Sequence, residues 1–214
     1  GAATLPAAPV VDGRNALAVK APYLFFEDFG GVNGNENNVE AGGASISSSN
    51  NSVGLAFMGL SDEWSGQRIG SESGVAIKIS SVKGVRQWRG RVTAPCVPHL
   101  KDGAEVHLTV RFDISGYQRN GHKCTCTLGF SDDDQNQKWK YDDGLTSTIA
   151  TFEPPTDGGY DAINRSCSFD TKNGKKANGS SRLSWLINYG SGGGAFDYQT
   201  YYLFIDNIRV SIAQ

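Results

Sequence analysis

The stretch EVHLTVRFDI, residues Glu105 to Ile114, alternates without a break. Val106, Leu108, Val110, Phe112 and Ile114 stand on one side, and Glu105, His107, Thr109, Arg111 and Asp113 on the other. A period of two belongs to an extended strand, where successive side chains leave opposite faces. One apolar face and one wet face are what an antiparallel sheet packed on a single side requires. His107 falls on the wet face, so it is expected to be a solvated side chain and not a catalytic base.

The same period recurs on either side of this strand. GVAIKIS, residues 74–80, turns Val75, Ile77 and Ile79 inward, and RLSWLINY, residues 182–189, aligns Leu183, Trp185, Ile187 and Tyr189 on one face. Trp185 therefore reads as core and not as a sugar platform. LFFEDF at 24–29 and LFIDNIRVSI at 203–212 complete the set, with GLAFMGL at 54–60 as a further strand. No stretch of about ten residues shows the spacing of an amphipathic helix. With 27 glycines and one methionine in 214 residues, the composition suits short strands joined by polar turns. The fold class is all-β, an antiparallel two-sheet β-sandwich. VNGNENNVEAGG, the stretch from Asp132 to Thr156 and the run from Thr171 to Ser181 read as long polar loops. SGGGAFD, from Ser191, is either a lid or a wide hairpin turn.

Residues 1–21 form an Ala/Pro-rich leader, and 22–214 read as a single sandwich domain, within the range of about 200–250 residues over which such folds remain one unit. The leader has no basic segment followed by an apolar one. It is expected to be the tether of a mature exported protein whose export signal, or lipid-anchored N-terminal segment, has been removed. A frayed terminus of no further meaning has the same composition. The localisation expected is extracytoplasmic: secreted, periplasmic, or on an outer-membrane surface as a lipoprotein. Net charge is -2 with Lys and Arg scattered, so the basic stripe of a nucleic-acid binder is missing. No run of about 18 apolar residues exists to span a membrane as a helix.

Four cysteines, Cys96, Cys124, Cys126 and Cys167, allow three disulfide pairings, and sequence does not choose among them. In CTCTLGF, Cys124 and Cys126 share a face with Leu128 and Phe130, which makes both small buried hydrophobes. A zinc set built from Cys96, His99, His122, Cys124 and Cys126 has irregular spacing and competes with that core reading.

Three segments carry a resemblance. LFFEDFGG opens the domain, GRVTAPCVPHLKDGAEVHLTVRFDI stands in its middle, and YYLFIDNIRVSI closes it. In that order they resemble exported jelly-roll domains of Bacteroidetes-type surface proteins, including adhesin-type anchor domains. More distantly they are similar to β-sandwich carbohydrate-binding modules, galactose-binding or concanavalin-like in general architecture. The resemblance implies that a carboxylate of the last strand and a glutamate near the first share a structural calcium. The matching positions are Asp206 and Glu27, with Asp28 as a neighbour. Calcium needs six to eight oxygens, and acids from adjoining first and last strands could close such a cage with backbone carbonyls. The other reading makes Asp206 and Asn207 a bulge whose side chains bond nearby backbone. No organic cofactor is expected.

SDDDQNQKWKYDDG, residues 131–144, is a poor EF-hand, because Gln137 stands where glycine is needed and Asp143 replaces the bidentate glutamate. Trp139 and Tyr141 share a face if the segment is extended, beside Asp134 and Asn136. Aromatic rings next to carboxylates and amides are what sugar recognition uses. Tyr160, Tyr198 and Trp88 are further loop or rim aromatics. The competing reading has Trp139 capping a sheet edge.

Enzymatic signatures are missing. There is no E-x-D-x-x-E strand, G-x-S-x-G, HExxH or phosphate-cradling loop, and adjacent acids in FEDFGG point to opposite faces. The expected function is therefore non-catalytic binding of a poly- or oligosaccharide, lectin-like, at a bacterial cell surface. The alternative is an adhesive or structural domain that recognises a surface protein.

Overall fold

The computed structural model describes residues 23–33, 35–39, 53–67, 69–72, 74–83, 88–100, 103–117, 125–131, 147–154, 165–172, 174–187 and 199–213. The leader and residues 132–146, which include Asp134, Asn136, Trp139 and Tyr141, lie outside them. So do Cys124, Tyr160, Tyr189 and Tyr198.

Two antiparallel sheets face each other. The strands in chain order are β1 (Phe25–Glu27), β2 (Asn35–Val39), β3 (Val53–Gly54), β4 (Ser65–Gln67), β5 (Ile69–Glu72), β6 (Ala76–Lys83) and β7 (Trp88–Arg89). They continue as β8 (Arg91–Cys96), β9 (Leu108–Tyr117), β10 (Cys126–Ser131), β11 (Ser147–Phe152), β12 (Arg165–Asp170), β13 (Arg182–Ile187) and β14 (Gln199–Ile212). One sheet runs β12-β9-β14-β6-β5-β2, with β1 added to β14 and β7 to β6; the other runs β11-β10-β13-β8-β4-β3. This is the antiparallel two-sheet β-sandwich expected from the alternation.

The inward sets meet in one apolar cluster. Val110, Phe112 and Ile114 of β9, Ile77 and Ile79 of β6, and Leu203, Ile205, Ile208 and Val210 of β14 supply one side. Val92, Leu128, Phe130, Leu183, Trp185 and Ile187 supply the other, and Cys126 is buried among them. Phe112 is the hinge of the packing, meeting Trp185 edge-on at 5.7 Å between ring centroids and Phe152 and Phe169 at 5.5 and 5.9 Å. Such aromatic contacts add about 0.5–1.5 kcal/mol each beyond their burial.

The last strand explains its own polar interruption. Asp206 lies opposite Asp113 on β9, and Arg209 lies opposite Arg111, so three steps on β14 match two on its neighbour. The extra residue is a bulge, and Asn207 takes it with a positive φ of 50°. Asparagine tolerates this left-handed region better than branched residues do. The bulge shifts the alternation by one, so Ile205 and Ile208, three apart, both reach the core.

Several local expectations need correction. GLAFMGL is a two-residue strand followed by a 3-10 helix, Ala56–Met58, closed by Gly59 at φ 88°. Leu55 and Met58 are buried while Phe57 is 49% exposed, a period of three that extended chain cannot supply. VNGNENNVEAGG contains β2, paired with β5, because backbone hydrogen bonds at a sheet edge do not require apolar side chains. The stretch from Asp132 to Thr156 contains β11, paired with β10. Trp88 belongs to strand β7, opposite Val82, and not to a loop. β9 begins at Leu108, since Val106 makes only an isolated bridge to Ala177. His107 is half-buried and not fully solvated, with an enclosed Nδ1 that has no hydrogen-bond partner among the described residues. Cys126 faces the core, so it cannot join Cys96 and His99 in a zinc set.

Candidate functional site

Two places gather polar side chains in ways the fold alone does not demand. The first is the junction of the chain's opening and closing strands. β6 pairs with β14 as far as Ile205, and β1 takes up the same edge at Ile208, where Glu27 is the partner. Glu27 and Asp206 thus fall two positions apart along β14, at the point where one neighbour strand gives way to the next.

Each carboxylate there accepts a backbone N–H from its own turn. Glu27 Oε2 accepts from Phe29 at 2.9 Å, Asp28 Oδ1 from Gly30 at 2.8 Å, and Asp206 Oδ1 from Asn207 at 2.8 Å. Phe29 is wholly buried at a positive φ of 54°, which turns the chain sharply after β1. The bulge is tied to β9 by its side chains. Asn207 Nδ2 donates to Asp113 Oδ2 at 2.9 Å, and Arg209 donates from Nη2 to Asp113 Oδ1 at 2.8 Å. Arg209 Nε also donates to the Asn207 carbonyl at 2.9 Å, which clamps the extra residue from both sides.

Glu27 is the electrostatic oddity of this junction. Burial raises its pKa above the usual value near 4.5, the Phe29 N–H opposes that rise, and the charge on Asp28 adds to it. No cationic side chain faces it among the described residues. A calcium ion would discharge this carboxylate, so that much of the donor set fits one. Among the described residues, however, no three of His, Cys, Asp and Glu gather closely enough to hold a metal. An ion here would therefore draw most of its oxygens from backbone carbonyls and amides.

The second place is a groove of about 630 Å³ at one end of the sandwich. Three connections build it: β3 to β4, β8 to β9, and the turn leading into β13. Its lining includes Glu63, Cys96, His99, Leu100, Glu105 and Asn178. The walls are held by short bonds. Val97 N–H donates to the Ser181 carbonyl at 2.9 Å, Arg182 Nη1 donates to the Glu63 carbonyl at 3.2 Å, and Asn178 Oδ1 accepts from Ser180 N–H at 2.8 Å. Positive φ values at His99 (63°) and Gly103 (76°) let the β8–β9 connection fold back over the end. The β3–β4 connection that provides Glu63 also carries Phe57, the one large apolar side chain exposed among the described residues.

The expected ligand residues fare unevenly. Trp139, Tyr141, Asp134, Asn136, Tyr160 and Tyr198 lie outside the described residues, and Trp88 is placed on a strand. Glu27 pairs two positions from Asp206 along β14, but the three acids Glu27, Asp28 and Asp206 do not gather into one cluster. The groove residues were missed because positions 63, 96–105 and 178–180 are far apart in sequence and carry no shared spacing.

No family model matches the chain, and no curated protein matches it. Among solved structures it is similar to the K1 cleaved adhesin domain of Lys-gingipain from Porphyromonas gingivalis W83, with 13% identity, a TM-score of 0.38, and coverage of 89% of this chain and 98% of that one. It is also similar to the K3 cleaved adhesin domain of the same protein, with 8% identity, a TM-score of 0.34, and coverage of 66% and 76%. A third is the Clostridium thermocellum endo-1,4-β-D-xylanase 10B, its CBM22-1 and GH10 modules complexed with xylohexaose, with 9% identity and a TM-score of 0.39. That match covers 90% of this chain but 29% of the other. At these identities and scores the similarity says nothing about residues or ligands.

Proposed function

We propose that this chain is a non-catalytic, extracytoplasmic binding domain whose ligand is a poly- or oligosaccharide. The observation that carries this reading is the end groove, where carboxylates, an amide and an imidazole converge beside Leu100 and the exposed ring of Phe57 lies on the same connection as Glu63. Hydroxyl-rich ligands are held by such acceptors and donors, with apolar ring faces packed on aromatic or aliphatic side chains. Trp139 and Tyr141, with Asp134 and Asn136, lie outside the described residues and carry side chains of the same chemistry.

Affinity electrophoresis against soluble polysaccharides, with a reducing-sugar assay on the same mixtures, tests the proposal. Retardation by at least one polymer without sugar release is expected. Glu105→Ala should weaken it with an unchanged melting temperature if the groove is used, and Trp139→Ala if residues 134–141 are used instead. A flat result across a broad panel favours the alternative, a domain that recognises a surface protein.

The buried, uncompensated Glu27 favours one addition to this reading, a structural calcium ion at the Glu27–Asp28–Asp206 junction. An ion bound only by the folded state stabilises it by mass action, about 2.7 kcal/mol at a hundredfold excess over its dissociation constant. Chelator should then lower the melting temperature by several degrees. An unchanged melt with no metal by elemental analysis removes the ion.

A further inference from the structure

The end groove has a sign. Among the described residues that line it, Glu63 and Glu105 are anionic and none is Lys or Arg. Both glutamates are exposed, and neither carboxylate makes a hydrogen bond or ion pair with a described residue. Arg182 donates through Nη1 to the Glu63 main-chain carbonyl and makes no ion pair with either carboxylate. Asn178 Oδ1 accepts from Ser180 N–H, and Cys96 Sγ donates to the Ser180 carbonyl at 3.8 Å. The groups of the described lining that face a ligand therefore include two carboxylates, an imidazole, the Asn178 amide nitrogen and the apolar surfaces of Pro98 and Leu100.

Resting on the reading of this groove as a saccharide site, we propose that it selects by charge, preferring saccharides that carry free ammonium groups over neutral ones and excluding those that carry uronates. The chemistry is direct. An ammonium on the sugar meets one or both carboxylates with charge-assisted hydrogen bonds. A uronate would meet two like charges, and like charges brought together oppose binding. Exposed ion pairs are individually weak, so two of them amount to about a fivefold preference at low salt. The preference should fall as salt is added, because exposed charges are screened.

Calorimetry on the full chain with three oligosaccharides of equal length separates the terms: a glucosamine oligomer, its N-acetylated counterpart and a galacturonate oligomer. The glucosamine oligomer should bind about fivefold tighter than the N-acetylated one, and the galacturonate oligomer least. In the double variant Glu63→Gln, Glu105→Gln that ratio should fall to about one, with the melting temperature unchanged. Equal affinities in the parent chain, or a preference that survives in the double variant, overturn the proposal. An oligolysine peptide binding as tightly as the glucosamine oligomer overturns the saccharide class in favour of a basic protein partner. If neither charged nor neutral sugars bind, the saccharide reading itself fails, an outcome distinct from loss of charge selection.

Discussion

Inserting one glycine after Asn207 should do far more damage than altering the Asn207 side chain. The bulge exists because β14 has one residue more than β9 between the Asp206 and Arg209 pairings. That single extra residue is what lets Ile205 and Ile208 share a face, so a second one sets the downstream half out of phase: Ile208 and Val210 would turn to solvent and Arg209 would turn inward. Both aliphatic residues are wholly buried. Exposing each costs about 1.5–3 kcal/mol, so the insertion costs roughly 3–6 kcal/mol before the misplaced Arg209 is counted. β1 pairs with the same segment, so docking of Phe25–Glu27 would be lost as well. At about 2–4 °C per kcal/mol for a domain of this size, the melting temperature should fall by about 6–24 °C. The control is Asn207→Gly, which keeps the residue count and the left-handed backbone but loses the bond to Asp113. A hydrogen bond to a charged group contributes about 1.5–3 kcal/mol, so the control should lose only a few degrees. Differential scanning calorimetry of the two variants decides the matter. An insertion that melts no lower than the Asn207→Gly variant refutes the role given to the bulge.

With chelator present, Glu27→Gln should raise stability at neutral pH and flatten its dependence on pH. Burial lifts the Glu27 pKa above about 4.5, so the folded state holds a proton that the unfolded state has released. Its penalty is absent below about 4.5 and complete above the raised value; stability is lost as pH rises between them. Chemical denaturation from pH 4 to pH 8 checks this, and a parallel pH profile in the variant contradicts it. Asp113→Ala should destabilise by about 2–4 kcal/mol, because it strands the Arg209 guanidinium and the Asn207 amide together; a denaturation midpoint shift below about a tenth of the total would contradict the clamp. Gly59→Ala should unfold the β3–β4 connection, since the added methyl would lie 2.4 Å from the Gly31 carbonyl at a φ of 88°. Proteolysis within residues 55–64 reads that change, and an unchanged digestion pattern speaks against it.

Much of the architecture was legible because alternation is a local signal. EVHLTVRFDI and RLSWLINY each displayed their inward faces, and Trp185 and Phe112 meet where those patterns put them. LFIDNIRVSI carries the bulge that one reading of Asp206 and Asn207 expected, and the step of three from Ile205 to Ile208, among steps of two, is its trace. NENNV gave no sign of becoming β2, because a polar edge strand is held by its backbone and leaves no apolar rhythm. GLAFMGL was misread because a short apolar run suits a strand or a 3-10 turn equally, and only the exposure of Phe57 between buried Leu55 and Met58 distinguishes them. The groove could not be read at all. Its walls come from three connections far apart in the chain, brought together by sheet topology, which no residue pattern encodes.

The most direct test of the functional account is to map binding onto the amide resonances of the labelled chain, titrated with whichever oligosaccharide retards it most. The account predicts saturable shifts at Glu63, His99, Glu105 and Asn178, or at Trp139 and Tyr141 if residues 134–141 are used instead, with the strands of the sandwich unmoved. Shifts spread through β9 and β14, or no shift with any oligosaccharide, would contradict it.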